Sequence, residues 1–219
     1  MATKKNAAPE PFTGIPVAAL DFYDDLEVDN TKSFWEAHKH VYDESVLAPI
    51  KALTAALAEE FGTAKLFRPY RDVRFAKDKA PYKTHQGAFI GLGSHTGYYL
   101  EVSPRGVRTG GGCYWFEPAD LAAFRDAVVH DHYGAELEKL VAAMTRKGYD
   151  VTGDRLKTTP RGYDADHPRI ELLRHKSLIF GRQLGFEPVI HTPQLLDEVK
   201  KDWRAYRPAV EWIAAHAVA

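Results

Sequence analysis

The clearest strand pattern in the sequence is GAFIGLGSHTGYYLEVSPRGVRTGGGCYW, residues 87–115. Apolar and aromatic residues alternate along it with small and polar ones, and a period of two is typical of β-strands. The segments SHTG at 94–97 and SPRG at 103–106 have the composition of hairpin turns. Three glycines at 110–112 indicate a bulge or a close backbone approach. We therefore predict an antiparallel meander with strands near 66–75, 87–92, 97–103 and 106–115.

Helical periodicity precedes the meander. Apolar residues recur at helical spacing over 19–26 and again over 34–61, which predicts a short helix followed by a longer one. Asn30 or Thr31 can cap the longer helix, and Pro49 is expected to kink it or divide it in two.

Helical periodicity also follows the meander. Two helices are predicted around 121–128 and 137–144, and a further strand at 177–184. A C-terminal helical region is expected to begin at Thr192-Pro193 and to be broken near its middle by Pro208.

The order of these elements predicts the fold class. Helices, then a run of strands, then helices is the α+β pattern, with a central antiparallel sheet flanked by N-terminal and C-terminal helices. Residues 1–14 are small, polar and without periodicity, so we interpret them as a disordered leader. We expect residues 15–219 to form a single α+β domain, because no stretch has the character of a linker.

The composition is that of a globular protein. Of the 219 residues, 45% are hydrophobic and 27% are charged, which provides for a substantial core. No apolar run reaches the length of a membrane span, and no signal-peptide pattern is present, so we expect no membrane partner and a cytoplasmic location. The single cysteine, Cys113, excludes an internal disulfide and a cysteine-ligated zinc site.

The net charge of −1 conceals an uneven distribution. From Lys65 to Arg108 there are nine lysines and arginines against three acids, whereas the rest of the chain has 20 basic and 27 acidic residues. A cationic middle between anionic flanks favours a local field that attracts anions over a general nucleic-acid coat.

The side chains best suited to bind a ligand are concentrated in RPYRDVRFAKDKAPYK, residues 68–83. Arginine offers a two-pronged donor, lysine a mobile point charge and tyrosine a hydroxyl donor, a combination that suits a phosphate or carboxylate group. Pro81 stiffens the loop that presents the last of these side chains. The predicted ligand-binding residues are Arg68, Arg71, Asp72, Arg74, Lys79, Tyr82 and Lys83.

The alternation of the predicted strand gives these side chains different roles. Arg71 would share an apolar face with Phe67, where an unpaired guanidinium is costly, so we expect it to have a carboxylate partner or to line a cavity. Asp72 would point to the opposite face, where it would orient Arg74 or Arg68 or serve as a base.

The same segment resembles the signature of the bacterial family known as domain of unknown function 2461, R-x-x-R-D-x-R-F-x-x-x-K-x-P-Y-K. All nine fixed positions of that pattern are met between Arg68 and Lys83. Other stretches are also similar to the family: Asn30 with Phe34-Trp35, PRGYDADHP at 160–168 and LLRHKS at 172–177. The resemblance covers residues 17 to about 215 and implies a shared site, but the activity of the family is unknown.

Our leading hypothesis is a protein that binds a small anionic ligand at this segment; whether it is also an enzyme is left open, and no cofactor is identified. One alternative is a nucleic-acid-binding module that uses the same basic face, with tyrosines as stacking surfaces. Those tyrosines are Tyr70, Tyr82, Tyr98 and Tyr99.

Another alternative is a structural or partner-binding protein in which Arg71 and Asp72 form a buried network. The plainest interpretation treats the cations as solvated strand charges that bind nothing. The sequence does not indicate an oligomeric state.

Two further groups of residues invite other chemistry. The HKH segment at 38–40 and the HDH segment at 130–132 place their two histidines on different helix faces, so capping or surface roles are favoured and no metal site is predicted. Asp164 or Asp166 is expected to cap a helix that Pro168 begins rather than to bind a ligand.

Overall fold

A computed structural model of the chain describes residues 11–74 and 77–217. The N-terminal helical region comprises α1 (Val17–Val28), α2 (Lys32–Val41), a π-helical segment (Tyr42–Leu47) and α3 (Ala48–Phe61). The strands are β1 (Lys65–Leu66), β2 (Gln86–Gly93), β3 (Thr96–Ser103), β4 (Gly106–Cys113), β5 (Asp150–Thr152) and β6 (Leu178–Gly185). The later helices are α4 (Pro118–Val129), α5 (Asp131–Arg146), α6 (Ile170–Leu173) and α7 (Leu195–His216), with a 3₁₀ turn at Pro188–His191. Of the predicted leader, residues 1–10 lie outside the described residues, and 11–14 have neither helix nor strand.

Six strands of the described chain form one sheet in the order β1-β2-β3-β4-β6-β5. The neighbours β2, β3 and β4 are joined at the two predicted hairpin turns, and β5 pairs antiparallel with β6, with Asp150 opposite Gly181. The predicted α+β class with an antiparallel sheet is confirmed. Among the described residues, no helix combines the length and the apolar character needed to cross a membrane.

The described chain falls into two compact units. The first comprises the residues up to Ala88 together with Glu101–Val107 and Gly185–Glu198. The second comprises Phe89–Leu100, Arg108–Leu184 and the residues from Val199 onward. The single domain expected over residues 15–219 stays a prediction.

In the first unit, the long helical run changes geometry midway. It begins after Thr31, whose hydroxyl accepts a hydrogen bond from the N–H three residues later at 3.2 Å, which confirms Thr31 among the two predicted caps. In the π-helical segment, the Ala48 N–H donates to the Asp43 carbonyl, five residues back. Pro49 then lies in the first turn of α3, directly after the π-helical segment. The run is therefore continuous from Lys32 to Phe61 with a change of helix type, and the kink or division expected at Pro49 stays a prediction.

In the second unit, the glycine run of β4 lets α7 lie close to the sheet. A Cβ built at Gly111 would be 2.9 Å from the Cβ of Tyr206, and one built at Gly112 would be 2.2 Å from the Leu178 carbonyl oxygen. Gly112 also has a φ of 134°, a conformation that favours glycine. The close approach predicted for residues 110–112 is confirmed.

The predicted strand at 66–75 is wrong. Its first residue, Leu66, ends β1, and the chain from there to Arg74 contains no further strand. Pro69 has no N–H to contribute to a ladder, and the many charged side chains leave little apolar surface to bury on either face. Phe75, the last residue of the predicted strand, lies outside the described residues.

The predicted break of the C-terminal helix at Pro208 is also wrong, because α7 runs unbroken from Leu195 to His216. A proline inside a helix costs about 3 kcal/mol. Burial of the apolar stripe on both sides of the proline offsets this cost. The stripe includes Trp203, Tyr206, Val210 and Ile213.

The helix cap predicted before Pro168 is wrong as well. Helix α6 begins only at Ile170, and no side chain of the described chain caps it. Asp164 instead accepts a hydrogen bond from the Asp166 N–H at 2.9 Å, so its carboxylate closes a local turn.

Replacing Gly111 with alanine is expected to lower the free energy of unfolding by about 1–3 kcal/mol, because the new methyl group would overlap Tyr206 in a packed core. Urea denaturation measures the change. Gly93→Ala on β2 is the matched control, since a Cβ there meets no described atom within 4 Å. Equal stability of the two variants would contradict the close packing of α7 on β4.

Candidate functional site

The predicted site segment forms a loop that is closed at its neck by two backbone hydrogen bonds. The Arg71 N–H donates to the Pro81 carbonyl at 2.9 Å, and the Lys83 N–H donates to the Pro69 carbonyl at 2.7 Å. The isolated antiparallel bridge between them joins Tyr70 and Tyr82. Arg71 and Lys83 therefore lie at the neck, whereas residues 72–74 and 77–80 belong to the loop itself.

Within the loop itself, the predicted cations Arg74 and Lys79 donate hydrogen bonds to neighbouring loop groups. Arg74 donates to Asp72 through Nε at 2.9 Å and through Nη2 at 2.6 Å, so Asp72 orients Arg74, one of its two predicted partners. These hydrogen bonds lower the pKa of the Asp72 carboxyl. Lys79 Nζ donates to the Val73 carbonyl at 3.0 Å. Contact of these three side chains with a ligand stays a prediction.

Arg71 has the carboxylate partner that we expected for it. Its Nη1 donates to Asp78 Oδ2 at 2.5 Å, and Asp78 also accepts from the Ala80 N–H at 2.9 Å. The hydrogen bond from Ala80, followed by the one from Arg71, lowers the pKa of the Asp78 carboxyl. The pair spans the loop and fixes the direction of the Arg71 side chain.

Tyr82 anchors the loop to α2. Its ring lies flat on Trp35, with 4.3 Å between the ring centroids and 7° between the planes. The Asn30 side chain donates to the Tyr82 carbonyl at 3.0 Å and accepts from the Tyr82 N–H at 3.0 Å. Because these reciprocal bonds satisfy both backbone groups of Tyr82, they hold the end of the loop in place. The structure thus gives Tyr82 a packing role, and its predicted donation to a ligand stays a prediction.

Gln86 secures the segment where it enters β2. This buried side chain accepts from the Tyr42 hydroxyl at 2.7 Å and donates to the Phe67 carbonyl at 2.8 Å. Burial raises the pKa of Tyr42 to about 12, so its hydroxyl remains a donor at neutral pH. The sequence interpretation missed Gln86, since a polar residue at the start of a strand is an ordinary feature.

Several charged side chains shift the pKa of His85, which was not among the predicted site residues. The imidazole is partly buried, and burial is the main cause of its lowered pKa. Lys83, Arg105 and Arg71 lower the same pKa further, whereas Glu101 raises it. Glu101 and Arg105 lie close to His85, since all three line one cavity of the first unit.

Lys83 connects the loop neck to this region. Its Nζ lies 5.4 Å from the centre of the Phe67 ring, within the range of a cation–π contact. Burial and the neighbouring Arg68 lower the pKa of Lys83. Of the predicted residues, Lys83 and Arg71 thus influence His85, whereas Arg68 influences Lys83.

His85 lines a cavity of about 360 Å³ in the first unit. The polar lining residues are Glu27, Thr84, His85, Glu101, Ser103 and Arg105. Ligand pockets span about 300–1,000 Å³, so this cavity suits a small molecule. A guanidinium and two hydroxyls can hold a phosphate or carboxylate group, and an imidazole can exchange a proton with it. In the described part of the chain, no cluster of three or more His, Cys, Asp or Glu side chains is placed to hold a metal ion.

The rings considered as stacking surfaces for nucleic acid differ in their accessibility. Tyr82 is 5% exposed and Tyr98 is 2% exposed, and Tyr98 stacks on Trp203 at 5.2 Å. Tyr70 is 49% exposed. The nucleic-acid alternative therefore loses two of its four rings and keeps Tyr70 and Tyr99.

Asn30→Ala is expected to lower the free energy of unfolding by about 1–3 kcal/mol, because it leaves both backbone groups of Tyr82 without their partners. Urea denaturation measures the loss, and hydrogen exchange of the Tyr82 amide measures the loosening of the loop. Asn30→Asp, which keeps the acceptor and removes the donor, should have a smaller effect. Unchanged exchange of the Tyr82 amide in the alanine variant would contradict the anchoring role of Asn30.

Comparison with known proteins gives one match. The model of the family described as "Conserved hypothetical protein (DUF2461)" matches residues 18–212, nearly the whole chain. No curated protein and no solved structure gives a significant match. The family description names no activity, ligand or partner.

Proposed function

This chain belongs to the DUF2461 family, and we propose that it binds a small ligand through a phosphate or carboxylate group in the cavity at His85. The observation that supports the proposal most is that His85 and Arg105 line one cavity together with the hydroxyls of Thr84 and Ser103. Lys83, Arg105 and Arg71 also lower the pKa of His85, so their positive charges act at the imidazole and would attract an anion bound beside it.

The lining residues divide the binding task. Arg105 supplies the two-pronged donor. The Ser103 hydroxyl oxygen accepts from the Arg105 N–H at 3.3 Å, so its hydrogen can be donated to the ligand. Glu101 raises the pKa of His85 against the larger effect of burial, so a bound anion needs less to bring the ring into its positively charged form.

The loop motif contributes indirectly to this site. Its neck presents Lys83 and Arg71, and its internal pairs keep the neck in shape. In this proposal Asp72, Arg74 and Lys79 organise the loop rather than contact the ligand. The motif therefore supports binding mainly through Arg71 and Lys83.

A concave site is a better match to a small ligand than to a nucleic-acid strand. Single-stranded nucleic acid needs an extended basic groove with accessible rings, and two of the four candidate rings are buried. The purely structural alternative predicts no ligand at all, so it is decided by the same binding experiment.

Sulfate is a suitable first probe, because its charge is constant across the pH range in which histidine titrates. Arg105→Gln is expected to weaken sulfate binding by about tenfold or more, because a charge-assisted donor is lost. Calorimetry measures the affinity, and amide shifts of Thr84 and His85 locate the site.

Arg74→Gln is the matched control, since it removes the same charge from the same region but from a loop pair with Asp72. Its affinity for sulfate should equal that of the unmodified chain. Equal losses in both variants would contradict the assignment of the ligand to the cavity, and no sulfate binding at Thr84 and His85 would end the proposal. Binding of short oligonucleotides alone would favour the nucleic-acid alternative.

The affinity for sulfate is expected to rise as the pH falls. The pKa of His85 lies below its ordinary value of 6.5, so the imidazole of the empty site is neutral at neutral pH. A bound anion favours the protonated ring, so binding takes up a proton and strengthens from about pH 8 to pH 5. Calorimetry at several pH values measures this trend, and His85→Gln should flatten it.

Stability without ligand should follow the opposite trend. Since the unfolded chain binds a proton on His85 more readily than the folded chain, the free energy of unfolding falls as the pH drops below 6.5. His175 has a lowered pKa for the same main reason, burial, and contributes in the same direction.

An affinity for sulfate that is unchanged by pH in the unmodified chain would contradict the role of His85.

A further inference from the structure

A second cavity, of about 390 Å³, lies within the second compact unit. One wall is the turn from α5 into β5, where Gly148 has a φ of 81°. Asp150 in β5 pairs with Gly181 in β6, so the next residue of β6, Arg182, reaches the same cavity. Helix α7 contributes Lys201. Residues from three separate elements of the chain thus meet at one recess.

The charged side chains that line this recess are mainly cationic. Lys147, Arg182 and Lys201 line it together with a single carboxylate, that of Asp150. The amide of Gln183 adds further hydrogen-bonding capacity. Cations that line a concave surface focus their field on its interior, which raises the local concentration of anions.

Behind the wall lies a fully buried carboxylate, Asp202, with 0% exposure. Its Oδ1 accepts from the Tyr149 hydroxyl at 3.0 Å and lies 3.4 Å from Arg182 Nη1. Its Oδ2 accepts from the Thr109 hydroxyl at 2.8 Å. Since Thr109 has given its hydrogen to Asp202, the Tyr206 hydroxyl at 3.1 Å donates to Thr109. Both carboxylate oxygens are therefore satisfied.

The hydrogen bonds to Asp202 orient two side chains that line the recess, Arg182 and Tyr149. A buried ion pair contributes little net stability, because desolvation of the two charges consumes most of their attraction. The Arg182 side chain is 25% exposed, so it extends from the buried carboxylate to the open recess. Tyr149, which the same carboxylate holds, lines the recess beside it. Asp202 thus fixes the direction of two groups that a ligand would meet.

We propose that this recess binds a small dianion, a phosphate ester or a dicarboxylate. Arg182 is its two-pronged donor, Lys147 and Lys201 are flanking charges, and Asp202 is a positioning residue that acts through Arg182. The volume suits a molecule of this size. The proposal is independent of the site at His85, because the two cavities have no lining residue in common.

The test is an NMR titration of the full chain at constant ionic strength, with inorganic phosphate in one arm and succinate in the other. Amide shifts of Gly148 and Gln183 report this recess, whereas those of Thr84 and His85 report the first cavity, so the two proposals succeed or fail separately. Saturable shifts at Gly148 and Gln183 with either probe support the proposal, and the responding probe identifies the ligand class. No saturable shift there with either probe overturns it.

Lys201→Gln tests the site without disturbing the core, because Lys201 is exposed. It is expected to weaken binding of the responding probe by about two- to fivefold. Lys139→Gln removes the same charge from an exposed position of α5 that does not line the recess, and should leave the affinity unchanged. If both variants weakened binding equally, the binding would reflect general charge attraction, and the proposed site would be wrong.

Asp202→Asn tests the positioning role, because two effects then have opposite signs. Loss of a negative charge near an anion site should tighten binding, whereas loss of the group that directs Arg182 should weaken it by about tenfold. Weaker binding supports the positioning role, and tighter or equal binding overturns it. If this variant does not fold, Arg182→Gln with its structure checked by circular dichroism replaces it, and unchanged affinity there overturns the role of Arg182.

Discussion

The two hydrogen bonds at the loop neck, from Arg71 to Pro81 and from Lys83 to Pro69, are the constraint on which the candidate site depends. Each acceptor is a proline, which offers a carbonyl but no N–H, so neither can return a hydrogen bond and extend the pairing. The chain consequently pairs at one point and then separates into a loop. The side chain that leaves this neck toward β2, Lys83, is thereby placed next to His85.

The number of charges in a segment and the field that it offers to a ligand are different quantities. The loop motif is rich in cations, but Asp72 and Asp78 already accept from two of its arginines. Such exposed pairs contribute little to stability, although they reduce the attraction that an incoming anion experiences. The cavity at His85 is lined by Arg105, which lies far from the motif in sequence, and by the carboxylates of Glu27 and Glu101. In the second recess three cations, Lys147, Arg182 and Lys201, share the lining with one carboxylate, that of Asp150, whereas the buried Asp202 already accepts hydrogen bonds from Thr109 and Tyr149.

Sequence periodicity predicted the helices and strands that have buried apolar residues at regular spacing. The three central strands, β6 and the main helices were predicted with small errors at their ends, because each has a continuous apolar face. The prediction failed where charge or proline suggested an ending that tertiary burial overrode, as at Pro208, and where alternation was read into a charged loop at 66–75. β5 was missed because its three residues are too few to show a period.

The two sites were predictable to different extents. The motif leads to the region where we propose the site, since Lys83 and His85 are near neighbours in sequence, but Arg105 joins His85 in one cavity only through folding. Asp202 gave no signal, because one acid between a lysine and a tryptophan on a helix has the same pattern whether it is solvated or buried. Only coordinates distinguish these cases.

The π-helical segment has a geometric consequence for the first unit. Trp35 and Phe61 are both buried, and 26 positions separate them. At about 100° per residue an unbroken α-helix would rotate one away from the other by roughly 80°, whereas one extra residue in a π turn reduces this angle to roughly 20°. The segment therefore brings Trp35 in α2 and Phe61 in α3 onto nearly the same side of the continuous helical run. Deletion of a single residue from it would restore regular α-helical hydrogen bonding. The Trp35 indole would then rotate away from the side of the helix on which Phe61 is buried, so the extra residue is needed to bury both side chains.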